Sequence, residues 1–181
     1  MIEAMGPIKT DSFTSRMIGA ARLQPEVYRR IFSDPAADRQ SLIVIILASL
    51  CAGLGILDQV GPEGVLIGTL LLIVLWYFLA WFTRWIGVKF FAEPQMTVPD
   101  RKSLLRVLGF ANAPGILRVA GVFSGIAPVV YLVVIGWILA ATILAVRLAF
   151  GYEKIWRAAV VTLLGWLAQF LIMQALFVMG G

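Results

Sequence analysis

Four long apolar runs, separated by short stretches that carry nearly all of the charge, constrain this sequence more than any other feature. The runs cover residues 41–57, 65–83, 126–146 and 156–178. Each is close to the ~20 residues that a helix needs to cross a hydrocarbon layer of ~30 Å. The apolar positions do not alternate with polar ones at the period of a soluble helix or strand. The sequence therefore predicts an all-α, polytopic membrane protein.

Residue types that build most metal and redox centres are scarce. The 181-residue chain contains no histidine and a single cysteine, Cys51, in the middle of the first run. Imidazole is the usual axial ligand of haem and the usual general base near neutral pH, whereas a buried lone cysteine behaves as a small hydrophobe. No Walker loop or dinucleotide fingerprint occurs. We therefore expect no catalytic residue, no metal site and no cofactor, and a protein that is not an enzyme.

The net charge of +5 is explained by where the basic residues lie. They precede the first run (Lys9, Arg16, Arg22, Arg29, Arg30, Arg39), follow the second (Arg84, Lys89, Arg101, Lys102, Arg106) and precede the fourth (Arg147, Lys154, Arg157). The link of residues 58–64 has Asp58 and Glu63 and no basic residue. Because cytoplasmic loops are enriched in Lys and Arg, this pattern predicts a cytoplasmic N-terminus. It also indicates a lipid bilayer, and no nucleic acid, as the partner.

A further segment, residues 104–123, has too many polar residues to score well as a spanning helix. If it stayed on the cytoplasmic face, however, the basic loop before the fourth run would be external, against the positive-inside rule. We therefore predict that it crosses, which gives five transmembrane helices in residues 39–181 and places the C-terminus outside the cytoplasmic (inner) membrane. Arg118 is expected to extend to the outer interface.

Asn112, Pro114 and Gly115 mark a predicted break in this third helix. Proline removes a backbone donor and clashes with the carbonyl four residues earlier, and the adjacent glycine favours a kink. An amide in lipid is costly, so Asn112 is expected to face the bundle or to bond to freed carbonyls. The break has two possible interpretations, a kink that serves helix packing and a substrate site. No acidic residue lies within a predicted span to couple ions.

Small residues at a spacing of four also occur in the third span. Gly121 and Gly125 form a GxxxG pair, while Gly109/Ala113 and Ala111/Gly115 form small-xxx-small pairs. Such pairs allow close helix packing. In a chain this rich in glycine and alanine, they do not predict a specific contact.

Residues 1–38 are predicted to form a cytoplasmic amphipathic segment ahead of the membrane domain of residues 39–181. Its apolar stripe comprises Phe13, Met17, Ala20, Ala21, Val27, Tyr28, Ile31 and Phe32, and arginines take the other faces. Pro25 fits the first residue of a second helix. Basic amphipathic helices bind anionic leaflets, so we predict that the stripe packs on the membrane. The alternatives are that the segment covers its own bundle or that it is an arm that docks a protein partner. The candidate lipid or partner surface is Arg16, Arg22, Tyr28, Arg29, Arg30 and Phe32.

Three stretches together resemble a known family. They are residues 17–28, the Leu-Gly-Phe-Ala-Asn-Ala-Pro-Gly run that ends at Gly115, and Trp137 followed by Ala145-Val-Arg147 and Arg157-Ala158. Over about residues 15–180 the chain resembles the prokaryotic branch of the Yip family, the Ypt/Rab-interacting membrane proteins. The resemblance implies a five-helix bundle with a cytoplasmic N-terminus and supplies no catalytic residues. Eukaryotic members bind small GTPases, but their long N-terminal region has no counterpart here, so GTPase binding is not predicted.

These observations favour a non-enzymatic integral membrane protein. We expect a scaffold or accessory subunit that organises protein partners or lipids, and thus a membrane-protein partner or a larger membrane complex. The alternative is a small transporter or channel with a site at the broken third helix. A transporter requires a polar cavity that reaches the middle of the membrane, whereas a scaffold does not.

Overall fold

The computed structural model describes residues 12–123 and 125–180, so Lys9 lies outside the described residues. Seven α-helices follow one another in the described chain, with a 3₁₀ helix, Ala113–Val122, between the fifth and the sixth. They are α1 (Phe13–Ala21), α2 (Pro25–Ser33), α3 (Ala37–Leu54), α4 (Leu57–Phe90), α5 (Arg101–Phe110), α6 (Ala127–Phe150) and α7 (Ile155–Gly180). The prediction of an all-α fold is confirmed for this part of the chain.

Four of the described helices are long and apolar enough to cross a membrane. They are α3, α4, α6 and the Ile155–Leu176 part of α7. Each contains most of one predicted apolar run, because a continuous helix satisfies every backbone group in a layer without water. Pro25 begins α2, as its preorganised backbone predicts.

The first turn of α4 is separated from the rest of the helix by a kink. Gly61 has φ +68° and ψ 173°, a conformation that only glycine adopts without strain, and Pro62 follows it. Proline is favoured at the start of a helix because its missing N–H has no partner there. The regular part of α4 therefore begins within the predicted link of residues 58–64.

We name one end of the bundle the basic end. It is the end where α3 begins and where α4 and α6 end. Hydrogen bonds and an ion pair connect its loops. The Thr97 N–H donates to the Phe150 carbonyl at 2.9 Å, and Arg84 Nε donates to the Pro99 carbonyl at 2.9 Å. Arg157 and Glu93 form an ion pair at 2.9 Å. The Tyr152 hydroxyl donates to the Gly87 carbonyl, and burial raises the pKa of Tyr152 to about 12. These contacts fix the loops of the basic end in defined positions.

Candidate functional site

The apolar stripe of α1 and α2 is covered by the protein's own bundle. Tyr28 and Ile31 are fully buried, and Val27 is 5% exposed. Phe13, Met17 and Phe32 are partly buried and pack against the same core. This differs from the prediction that the stripe packs on the leaflet, because side chains without exposed surface cannot contact lipid. In the structure this segment covers its own bundle, as the alternative interpretation stated.

Hydrogen bonds fix α1 and α2 in this position. The Tyr28 hydroxyl donates to the Ala20 carbonyl at 3.2 Å, and burial raises the pKa of this phenol. Trp137 Nε1, on α6, donates to the Ala21 carbonyl at 2.7 Å. The first bond is buried and the second is partly buried, and together they hold the two helices as part of the fold.

Arg16 is a structural residue of this region. Its side chain is 8% exposed, and its guanidinium pairs with the Asp34 carboxylate and donates to Gln40 Oε1 at 3.1 Å. The Ala36 N–H donates to Asp34 Oδ1 at 2.9 Å. This backbone bond and the Arg16 guanidinium hold the pKa of the Asp34 carboxyl below its usual value. The pair links α1 to the turn between α2 and α3.

Arg106 forms a second buried link, between α5 and the beginning of α3. Its side chain is 7% exposed, and its Nε donates to Asp38 Oδ1. Its Nη1 donates to the Phe32 carbonyl at 2.9 Å. One guanidinium therefore joins α5, the end of α2 and the first turn of α3.

The residues predicted to form a lipid or partner surface thus fall into two groups. Arg16 and Tyr28 are buried, and Phe32 is half-buried against the core. Arg22, Arg29 and Arg30 are exposed, as is Arg39 in the first turns of α3. We name these four exposed arginines the basic surface. Arg29 pairs with Glu26 at 2.5 Å, and this exposed pair still leaves its guanidinium accessible.

The third segment of the bundle, α5 together with the 3₁₀ helix, is broken at Asn112. α5 ends at Phe110, and the chain continues as a 3₁₀ helix from Ala113. The Asn112 N–H bonds to the Gly109 carbonyl, three residues back, instead of the Leu108 carbonyl, four back. Its side-chain Nδ2 donates to Leu108 at 2.9 Å in place of the missing backbone bond. The Asn112 side chain thus caps the end of α5 within the protein.

The third segment runs along α3 in the same direction, through close contacts at three glycines. A Cβ at Gly109 would lie 2.6 Å from Ser41 Cβ, and one at Gly115 would lie 3.0 Å from Ala48 Cβ. A Cβ at Gly121 would lie 3.0 Å from the Gly55 carbonyl oxygen. The glycines recur every six residues and their partners along α3 every seven. From Gly115 to Gly121 the six residues are two turns of the 3₁₀ helix, and seven residues are about two turns of an α-helix.

A cavity of about 340 Å³ lies beside the break, between α3, α4, α6, α7 and the 3₁₀ helix. Its lining residues with a polar side-chain atom are Ser49, Trp76, Asn112, Arg118, Thr142, Trp166 and Gln169. Arg118, which was expected to extend to the outer interface, lines this cavity, and its Nε is buried. Sequence reasoning missed Arg118 as a site residue. It is the one charged residue between Arg106 and Arg147, and a charge inside an apolar segment is a signal of function.

The family model of the Yip1 domain matches residues 22–177. The chain belongs to the Yip1 domain family. The match extends from the end of α1 through nearly all of α7 and includes all four candidate spans. Searches of the curated proteins and of the solved structures return no match. The predicted Yip membership and membrane location are confirmed, and assignment to the prokaryotic branch stays a prediction.

Proposed function

We infer that this Yip1-domain protein is a non-enzymatic scaffold or accessory subunit that organises protein partners or lipids in the cytoplasmic membrane. The observation that carries the inference is that the basic surface lies on helices that are fixed to the bundle. Arg22, Arg29, Arg30 and Arg39 are exposed on helices that ion pairs and buried side chains fix to the bundle. Exposed guanidinium groups on helices that are fixed to the bundle are suited to bind acidic protein segments or anionic headgroups.

Five spans, with the N-terminus in the cytoplasm and the C-terminus outside, are part of the proposal. The contacts of the third segment support a crossing, because they follow α3 from Ser41 to Gly55, a distance of roughly 21 Å. The α5 and 3₁₀ helices together have a length of roughly 35 Å, which exceeds the ~30 Å hydrocarbon layer. With this segment inside the membrane, all loops of the basic end lie on the same side.

Reporter fusions test this orientation. Fusions after Arg39, Lys102 and Lys154 are expected to report the cytoplasm, and fusions after Gly61 and Gly181 the outside. The reason is that only an odd number of spans keeps the three basic loops together. A cytoplasmic signal from the Gly181 fusion would contradict the five-span arrangement and leave the four-span alternative.

Replacement of three arginines in the basic surface tests the function. The full chain, held in neutral nanodiscs, is expected to bind vesicles of anionic lipid or to retain an acidic protein partner during gentle purification. In Arg22→Gln/Arg29→Gln/Arg30→Gln, vesicle binding at low salt is expected to fall about 100-fold, since each basic residue near an anionic surface contributes about 1 kcal/mol. Co-flotation measures the vesicles, and quantitative mass spectrometry measures the retained partners.

The matched control is Arg22→Lys/Arg29→Lys/Arg30→Lys, which keeps the charge and removes only the guanidinium geometry. Vesicle binding is expected to survive in this variant, whereas a partner that needs bidentate carboxylate contacts is expected to be lost. If the Gln variant retains both vesicles and partners at wild-type levels, the basic surface does not organise either, and the proposal fails.

One observation favours the alternative of a small transporter or channel. The cavity is lined by Asn112, at the break, and by Gln169 and Thr142 from the middle parts of α7 and α6. No Asp or Glu of the described residues lines it, so it offers no carboxylate for ion coupling. If the alternative is correct, proteoliposomes that contain the wild-type protein take up a solute, and this uptake is lost in Asn112→Leu.

A further inference from the structure

The cavity beside the broken helix contains hydrogen-bond donors that have no partner in the described part of the chain. Arg118 Nε and Trp76 Nε1 are both buried, and neither forms a hydrogen bond to a described residue. Trp76 is only 4% exposed. Buried donors are nearly always paired in native proteins, because an unpaired one keeps its full desolvation cost. Two such donors around the same cavity therefore indicate an acceptor that the protein itself does not supply.

The charge of the cavity specifies the sign of this acceptor. Arg118 is the one ionisable side chain that lines it, and among the described residues no carboxylate pairs with this guanidinium. Two of the neighbouring polar groups are already used as donors. Gln169 Nε2 donates to the Leu75 carbonyl at 2.8 Å, and Thr142 Oγ1 donates to the Ile138 carbonyl at 2.7 Å. An unpaired guanidinium in an apolar segment is costly, and an oxyanion would compensate it.

The cavity also has an apolar side, which reaches the outside of the bundle at the depth of the acyl chains. Leu72 of α4 and Ile135 of α6 both line it and are 37% and 42% exposed. Both lie within candidate spans. The Arg118 backbone, in contrast, lies against Gly55 at the end of α3, where a Cβ would meet the Arg118 carbonyl oxygen. The Arg118 backbone is therefore near a membrane interface, while its side chain lines the cavity.

We propose that this cavity binds an acidic membrane lipid. Its phosphate oxygens accept hydrogen bonds from Arg118 Nε and Trp76 Nε1, while an acyl chain enters past Leu72 and Ile135 and lies against the apolar wall. The volume of about 340 Å³ accommodates the headgroup phosphate and only part of one chain, so the remainder of the lipid stays in the bilayer. The site is separate from the basic surface and does not depend on its function.

Binding to the purified full chain in a neutral detergent tests the site. Short-chain phosphatidic acid is the probe, with short-chain phosphatidylcholine and inorganic phosphate as comparison ligands. Native mass spectrometry counts the bound molecules, and the shift of the unfolding temperature gives the apparent affinity. Wild type is expected to bind one phosphatidic acid more tightly than phosphatidylcholine. Arg118→Gln is expected to weaken this binding at least about tenfold, because a charge-assisted hydrogen bond is lost.

The control is Arg101→Gln, which removes the same charge from an exposed position outside the cavity and is expected to leave binding unchanged. If Arg118→Gln does not fold, Trp76→Phe keeps an aromatic ring, removes the second donor and is expected to weaken binding several-fold. Equal binding of phosphatidylcholine, or full binding by both variants, overturns the proposal. Equal stabilisation by inorganic phosphate alone also overturns it, since the ligand is then a small ion.

Discussion

Arg106→Met is expected to destabilise the protein by about 2–3 kcal/mol and to release α1 and α2 from the bundle. The substitution keeps an unbranched apolar stem but removes the ion pair to Asp38 and the hydrogen bond to the Phe32 carbonyl. Hydrogen bonds to charged groups contribute about 1.5–3 kcal/mol, and breaking a buried pair also leaves the partner charge uncompensated. Unfolding in mixed micelles measures the stability, and limited proteolysis after Arg22 and Arg29 measures the release.

Arg101→Gln serves as the comparison, because Arg101 lies on the same helix and is exposed. Its effect is expected to stay within about 0.5 kcal/mol. Asp38→Asn and the double variant complete a mutant cycle, and a coupling above about 1 kcal/mol is expected for a direct pair. If Arg106→Met is as stable and as protease-resistant as Arg101→Gln, the guanidinium does not hold the N-terminal helices.

The features that the sequence predicted are those with a local physical cause. The length of an apolar run predicts a span, and Pro25 predicts the start of α2 without knowledge of any neighbour. Asn112, Pro114 and Gly115 predicted a departure from α geometry because the proline acts on its own turn. The 3₁₀ conformation that continues to Val122 has no such local signal in the residues after Gly115.

The surface that covers the N-terminal stripe could not be predicted from its periodicity. A stripe such as Val27, Tyr28 and Ile31 shows which face is apolar, but lipid chains and a helix bundle are equally apolar partners. In the structure the segment is held to the bundle by contacts such as that of Arg106 with the Phe32 carbonyl, across 74 positions of the chain, and that of Trp137 with the Ala21 carbonyl, across 116. Contacts at such separations leave no periodic signal in a single sequence.

The glycine contacts show a related limit. The spacing of four in Gly121 and Gly125 is the signature of two packed α-helices. The observed contacts instead use a spacing of six, at Gly109, Gly115 and Gly121, and a Cβ at Gly125 would have no neighbour within 4 Å. The sequence rule assumed the wrong helical period for this segment, because a 3₁₀ helix has three residues per turn. The close approach of the third segment to α3 therefore depends on its break.

Gly109→Leu is expected to be strongly destabilising. A Cβ there would lie 2.6 Å from Ser41 Cβ and 3.0 Å from the Ser41 carbonyl oxygen, so the α3 backbone has to move. Overpacking costs about 1–3 kcal/mol and more when backbone is displaced, and Leu adds three further carbons. We expect a loss of about 3 kcal/mol or more in mixed-micelle unfolding, with much of the protein recovered as aggregate.

Gly136→Leu separates packing from helix propensity. Gly136 lies on the exposed face of α6, and a Cβ there would meet nothing within 4 Å. Replacing a helical glycine by leucine gains up to about 1 kcal/mol in propensity, so this variant is expected to be as stable as wild type or more so. Because both variants gain the same propensity term, the difference between them measures the contact with Ser41. Two equally stable proteins would mean that the third segment does not lie against α3, and the structural support for a fifth span would be lost with that contact.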